Sequence, residues 1–406
     1  MSVIRRSSKL ITIAFVILGL AAVGPPIMAA EDTKSLEDRL EQLEAQIESL
    51  REQVQDAKKE IRSATEVVAL TSEWRDATSA FHVAGYASVG YLDKENSTGA
   101  FNSANFNPIF HFQYKDLVLW EAELEFEVEE EGGTEINLEY STIDFFLNDY
   151  LVLVGGKFLS PLGQFRQNLH PHWINKLPSM PPGFGHDGAA PIAEVGFQLR
   201  GGAPFGAGRI NYAFYVGNGP ELEGEGGEVH GVLTDGFTRD ADGDKVLGGR
   251  IGFLPVSNLE IGLSAAFGDA AVTENDGIEV ENDPSRDYNA LGVDFVYHWR
   301  ELELRGEYIK QKIDNAVASI APEGGDWEAL YVQGAYKFGH NNWEGVLRYT
   351  DLNTPHASQQ QQQWAIGLNY LVAPNAIVKF GYEINDNDAG GASDEDRWLI
   401  QLAYGY

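Results

Sequence analysis

LVLWEAELEFEVE, residues Leu117 to Glu129, is the stretch on which the reading of the whole chain turns. From Trp120 onward every second residue is apolar: Trp120, Ala122, Leu124, Phe126 and Val128. Every residue between them is a glutamate, running Glu121, Glu123, Glu125, Glu127 and Glu129. A period of two means a β-strand with one apolar face and one charged face. Same-face neighbours in a strand lie about 7 Å apart. Each adjacent Glu–Glu pair then costs about 0.6 kcal/mol in water, against roughly 12 kcal/mol in a dry interior. The glutamate face is therefore wet, and the opposite face needs apolar cover along its whole length.

Outward from this strand the alternation continues over residues 80–406, rich in aromatic residues. It predicts about sixteen strands joined alternately by tight turns and longer polar loops. Tight turns fall at Lys115-Asp116, Asn148-Asp149, Ser257-Asn258, His340-Asn341 and Pro374-Asn375, with a five-residue turn near Pro204. Longer loops fall at Asp93–Ala104, Gln164–Ala190, 221–244 and 273–286, with others further on. A sandwich does not sort its loops by length, whereas an outer-membrane barrel does. Aromatic residues gather where interfacial girdles belong, with Phe146, Tyr150, Trp299 and Trp343 near tight turns and Tyr91, Phe158, Trp327 and Trp364 near long loops. The expected fold is all-β, an antiparallel transmembrane β-barrel of about sixteen strands with an N-terminal coiled-coil helix.

Residues 1–30 read as a signal peptide: Arg5-Arg6, an apolar run from Leu10 to Gly24, Pro25-Pro26, then Met28-Ala29-Ala30. The apolar run is shorter than the ~20 residues a membrane span needs. Residues 31–62 are charged and free of Gly and Pro. Leu40, Ile47, Val54 and Ile61 form one seam and Leu36, Leu43, Leu50 and Ala57 the other, the heptad pattern of a coiled coil. Residues 63–79 read as a linker to the barrel. Lys and Arg number 29 against 61 Asp and Glu, for a net charge of −32, which argues against nucleic acid as a partner. Cysteine is absent, so disulfides and Cys-ligated metals are excluded.

A barrel of about sixteen strands encloses a water-filled channel, and its polar face can be read off the alternation. Besides the five glutamates, that face carries Lys157, Arg200, Arg250, Arg305 and Arg348. The loop Gln164–Ala190 adds Arg166, His170, His172, Trp173, Lys176 and His186, with prolines at 171, 178, 181 and 182. Prolines stiffen a segment, so this basic, aromatic loop is expected to fold inward and narrow the channel, with Arg166 and Lys176 lining it. His170, His172 and His186 match no strong ligand spacing, nor do Asp240, Asp242 and Asp244, so no metal or cofactor is expected.

Four short motifs carry a family resemblance: FHVAGYASVGY (Phe81 to Tyr91), VGGKFLSPLG (Val154 to Gly163), YVGNG (Tyr215 to Gly219) and LRGEY (Leu304 to Tyr308). Over residues 80–406 the chain resembles the phosphate-selective porin O/P-like family. The resemblance implies a homotrimer of sixteen-stranded barrels whose third loop enters the lumen. It also implies a path lined by basic side chains, here Lys157, Arg200, Arg250, Arg305 and Arg348. The polar face departs from that pattern because its acids outnumber its bases, and the glutamate run predicts cation preference.

The expected function is a porin for passive diffusion of small hydrophilic solutes or ions. Its expected setting is the bacterial outer membrane, in contact with lipid, with the N-terminal helix in the periplasm. The residues leave two alternatives, a structural or ligand-capturing envelope protein and a barrel enzyme. No Ser/His/acid grouping supports an enzyme.

Overall fold

Gln361–Ala373 shows how this sequence builds a wall. Gln363, Ala365 and Asn369 are buried, while Trp364, Ile366 and Leu368 between them are exposed. A soluble sheet hides its apolar face, so this inversion belongs to a sheet whose outer face meets lipid and whose inner face meets water. The structure, a computed structural model, describes residues 79–406 apart from Asp187, His340, Asn341, Ala392 and Ser393, together with Gln55. The expected signal peptide, coiled coil and linker lie outside the described residues, except for Gln55 and for Ser79, which already opens the first strand.

The strands in chain order are β1 (Ser79–Lys94), β2 (Ala100–Tyr114), β3 (Val118–Val128), β4 (Thr134–Asn148) and β5 (Leu151–Leu159). Then come β6 (Ala193–Phe205), β7 (Gly208–Gly217), β8 (Glu221–Glu225), β9 (Glu228–Leu233) and β10 (Val246–Val256). β11 (Leu259–Ala270), β12 (Val272–Asn275), β13 (Ile278–Glu279), β14 (Arg286–Trp299) and β15 (Leu302–Ile313) follow. The chain closes with β16 (Gly325–Lys337), β17 (Trp343–Asn353), β18 (Gln361–Ala373), β19 (Ala376–Asp386) and β20 (Arg397–Gly405). Among the described residues sixteen of these close into one antiparallel barrel, sealed where β1 pairs β20 from Tyr86↔Gly405 to Lys94↔Arg397. Closure leaves no strand edge unpaired in the hydrocarbon, as the bilayer requires.

Three expectations need correction. The polar loop expected over Asp93–Ala104 is mostly strand, because Leu92 pairs Ala100 and the two strands run on past the apolar band. The turn near Pro204 shortens to Gly206-Ala207, since Phe205 pairs Gly208 directly. The loops 221–244 and 273–286 hold a second, four-stranded sheet in the order β13-β12-β8-β9. Its strands are too short to show a period in sequence. Arg239 fastens it with a two-pronged contact to Glu221, 2.6 Å on each prong, and Thr273 donates to the same carboxylate at 2.9 Å.

One irregularity shapes the interior. Glu123 pairs Tyr140 but Leu124 pairs Leu138, so Glu139 is an extra residue, a β-bulge in β4. Before it Ile136 and Leu138 point outward; after it the outward set is Ile143, Phe145 and Leu147. The phase switch turns both Glu139 and Tyr140 toward the lumen.

Candidate functional site

The segment between β5 and β6 enters the barrel and packs along its inner wall. Gly163, at φ +79°, makes the turn, and a Cβ there would meet Glu307 Oε1 at 1.7 Å. The short helix Phe165–Leu169 follows. Its first N–H groups have no helical partner, and the wall supplies one: Glu307 Oε2 accepts from Gln164 N and Phe165 N, both at 2.9 Å. Phe165 and Phe184 then pack on Tyr331, with ring centroids 5.8 and 5.0 Å away.

Further along, wall cations hold the segment by its carbonyls. Lys379 donates to His172 O, to Leu177 O at 3.2 Å and to Gln401 at 2.8 Å. Arg348 donates to Ser179 O at 3.0 Å and Met180 O at 3.2 Å. Lys176 reaches Glu344 at 2.8 Å. Small wall residues let the segment lie close, as where Trp173 covers Gly405 and a Cβ would come within 2.7 Å of the indole. The inserted segment thus fills the side of the lumen facing β15–β20, and the passage remains on the side of β2–β7 and β10.

Cavities among the described residues mark that passage. One of about 360 Å³ on the loop side is lined by Glu125, Glu127, Glu135, Glu139, Arg166 and His170, among others. The next, about 310 Å³, has Glu121, Glu123, Tyr140, Gln198 and Arg200 in its wall, and it shares His170 with the first. The third, about 420 Å³, shares Arg200 with the second and adds Asn211, Arg250 and Glu260. His170 on the inserted segment thus lines both of the first two cavities, and the buried Glu123 of β3 lines the second, 3.7 Å from His170 Nε2.

The charges divide unevenly. Every arginine in the passage already touches an acid. Arg166 meets Glu139 at 2.9 Å, Arg200 meets Asp144, and Arg250 lies between Asp294 at 2.6 Å and Glu260 at 2.9 Å. The ladder glutamates meet other groups: His111 at 2.9 Å from Glu121, the Tyr86 hydroxyl at 2.8 Å from Glu123, and Asn107 at 3.3 Å from Glu125. Toward the loop end, Asp235 accepts from His186 at 3.0 Å. That bond raises the His186 pKa and lowers that of Asp235.

The expected lining residues now separate. Glu121, Glu123, Glu125, Glu127, Arg166, Arg200 and Arg250 border the cavities. Glu129 lies past the end of β3 and takes part in the rim turn with Gly133. Arg348 is wholly buried, because the inserted segment covers it, so it does not line the passage. Lys176, on the inserted segment itself, pairs with Glu344 of the wall at 2.8 Å and borders none of these cavities. Arg305 folds onto Glu303 of its own strand at 2.6 Å, and Lys157 is half-buried; neither borders these cavities. The alternation did not single out Glu139, Tyr86 or Tyr140 as lining groups. The phase switch between Leu138 and Ile143 is the signal that would have found the two residues at the bulge.

With this geometry in hand, the comparisons with known proteins are specific. The profile described as Gram-negative porin matches residues 64–406. The chain belongs to this family. As a porin it is a passive diffusion channel of the bacterial outer membrane, and family and fold alike point to a channel rather than an enzyme. Among solved structures it is similar to the anion-selective porin from Comamonas acidovorans, at 14% identity and TM-score 0.56, covering 81% of this chain and 100% of that one. It is also similar to OmpT, an outer membrane protein of Vibrio cholerae, at 12% identity and TM-score 0.53, covering 82% of this porin and 99% of that chain. The outer membrane channel DcaP of Acinetobacter baumannii matches at 12% identity and TM-score 0.52, covering 82% and 98%. At these identities the likeness speaks for the fold. No curated protein matches the sequence.

Proposed function

We propose that this porin passes small hydrophilic solutes and favours cations, with the inserted segment as its constriction. The observation that carries this is the partnering of charge along the passage. The arginines are paired with acids, whereas Glu121, Glu123 and Glu125 meet a histidine, a tyrosine and an asparagine. Carboxylates that have no lysine or arginine partner raise the local cation concentration within a Debye length, about 8 Å at physiological salt. The resemblance to the phosphate-selective porin O/P-like family supports the barrel and its inserted loop; phosphate selectivity is not part of this proposal. Basic residues that would serve it, Arg348 and Arg305, lie away from the opening.

The working unit in this reading is a homotrimer in outer-membrane lipid, for which a trimer form of Vibrio cholerae OmpT is a structural precedent. The heptad pattern read over residues 31–62, outside the described residues but for Gln55, supports self-association in this reading. Reversal potentials across a salt gradient test the ion preference. The wild type is expected on the cation side, and a variant with Glu121, Glu123, Glu125 and Glu127 all changed to Gln is expected to move toward anions. A strongly anion-selective wild type that the variant leaves unmoved overturns the proposal.

A further inference from the structure

The second and third cavities of the passage meet at four shared residues, Gln167, Asn168, Gln198 and Arg200. Two elements bring them together. Gln167 and Asn168 are successive exposed residues of the short helix on the inserted segment. Gln198 and Arg200 lie two apart on β6, so both point to the same, lumenal face. Around this junction the side chains are incompletely partnered. Gln198 is only 2% exposed, yet its Nε2 has no hydrogen-bond partner, although buried polar groups are almost always bonded. Arg200 gives one prong to Asp144 and keeps 46% of its side chain exposed. Gln167 makes a long bond of 3.3 Å to Leu159 O.

Three carboxamides and a guanidinium fork set donors and acceptors side by side, and the one charge among them is already met by Asp144. Adjacent hydroxyls of a polyol answer that pattern, because each hydroxyl both donates and accepts. Charged solutes fit less well. An anion here would face Glu121 and Glu123 in the second cavity and Glu260 in the third. A cation would face Arg200, whereas the first cavity offers it a wall of carboxylates. We propose that Gln167, Asn168, Gln198 and Arg200 form a subsite for a neutral polyhydroxylated solute of the monosaccharide class. The adjoining spaces of about 310 and 420 Å³ match small-molecule pockets, which run about 300–1,000 Å³. Hydrogen bonds alone hold the solute, so it leaves as readily as permeation demands. The subsite rests on the channel reading above but not on its ion preference.

The test is single-channel conductance of the full chain with glucose in both chambers, each current normalised to the bulk conductivity of its solution. Triethylene glycol, with as many carbons but no adjacent hydroxyls, is the control. Glucose is expected to lower the normalised current along a saturating curve, and triethylene glycol is not. Gln198→Leu and Asn168→Ala are each expected to raise the half-saturating glucose concentration about threefold to tenfold, the worth of one hydrogen bond. Folding of each variant is read from its circular-dichroism spectrum, and where Gln198→Leu does not fold, Asn168→Ala carries the test. Equal, unsaturating effects of the two solutes mean that the junction holds water alone, and they overturn the subsite. A saturating glucose effect that neither variant moves overturns it too. A chain that opens no channel at all refutes the functional reading instead, so the two failures are distinguishable.

Discussion

Arg166 Nη2 lies 2.9 Å from Glu139 Oε2, and both side chains are less than a tenth exposed. The contact ties the inserted segment to the bulge of β4, and it cancels the loop's arginine just where a free cation would repel cations. Removing one partner of a buried pair strands the other, at a cost of about 3–5 kcal/mol. Glu139→Gln is therefore expected to lower the thermal stability of the barrel and to shift the reversal potential toward anions. An unchanged reversal potential would show that Arg166 does not reach the permeating ion.

Gly163 controls how the segment enters. Its left-handed backbone strains any other residue, and a Cβ there would come within 1.7 Å of Glu307 Oε1, so the carboxylate would have to move. Gly163→Ala is expected to displace the start of the helix and break the two bonds from Gln164 and Phe165 to Glu307. Single-channel conductance should then rise, because the obstruction no longer seats. Conductance equal to wild type would mean that the segment holds its place through its other anchors.

How far the sequence reached can be seen in particular residues. Period two is a local property, so the wall was legible strand by strand, down to the glutamates of β3. The inserted segment was legible too, through its prolines and its length. What could not be read was which wall residues that segment covers. Arg348 and Arg200 look alike in an alternating pattern. One is sealed beneath Ser179 and Met180, while the other faces the opening. Contacts between residues some 170 positions apart leave no mark on periodicity. Glu139 was hidden for the opposite reason, because a one-residue bulge shifts the phase that the reading assumes constant.

Lys379 is fully buried and spends its hydrogens on His172 O, Leu177 O and Gln401. Lys379→Met keeps the volume but orphans both carbonyls, each at about 1–3 kcal/mol. The segment is then expected to lift intermittently, seen as open-channel noise above wild type at an unchanged mean ion preference. Quiet traces would assign the anchoring to the segment's other contacts, among them those of Glu307, Arg348 and Lys176.

The His186–Asp235 bond joins the inserted segment to the loop after β9, outside the strands that cross the membrane. His186 titrates above its usual 6.5, chiefly through that bond, although Arg166, 3.4 Å from its Nε2, works against the shift. Asp235 titrates below its usual 3.8 because of the same bond. A raised histidine contributes fully below 6.5 and loses its contribution as pH climbs through the raised value. A depressed carboxylate contributes above 3.8 and loses its contribution as pH falls through the lowered value. The clasp is therefore strongest between those limits, near pH 5, and loosens toward pH 9 as the imidazolium gives up its proton. Both groups are well exposed, so solvent weakens the effect, and its readout is kinetic: channel flicker is expected to rise from pH 5 to pH 9 in the wild type. His186→Gln removes the titrating group and should show the higher flicker at both values. A pH dependence that survives this substitution would assign the response to a group other than the clasp.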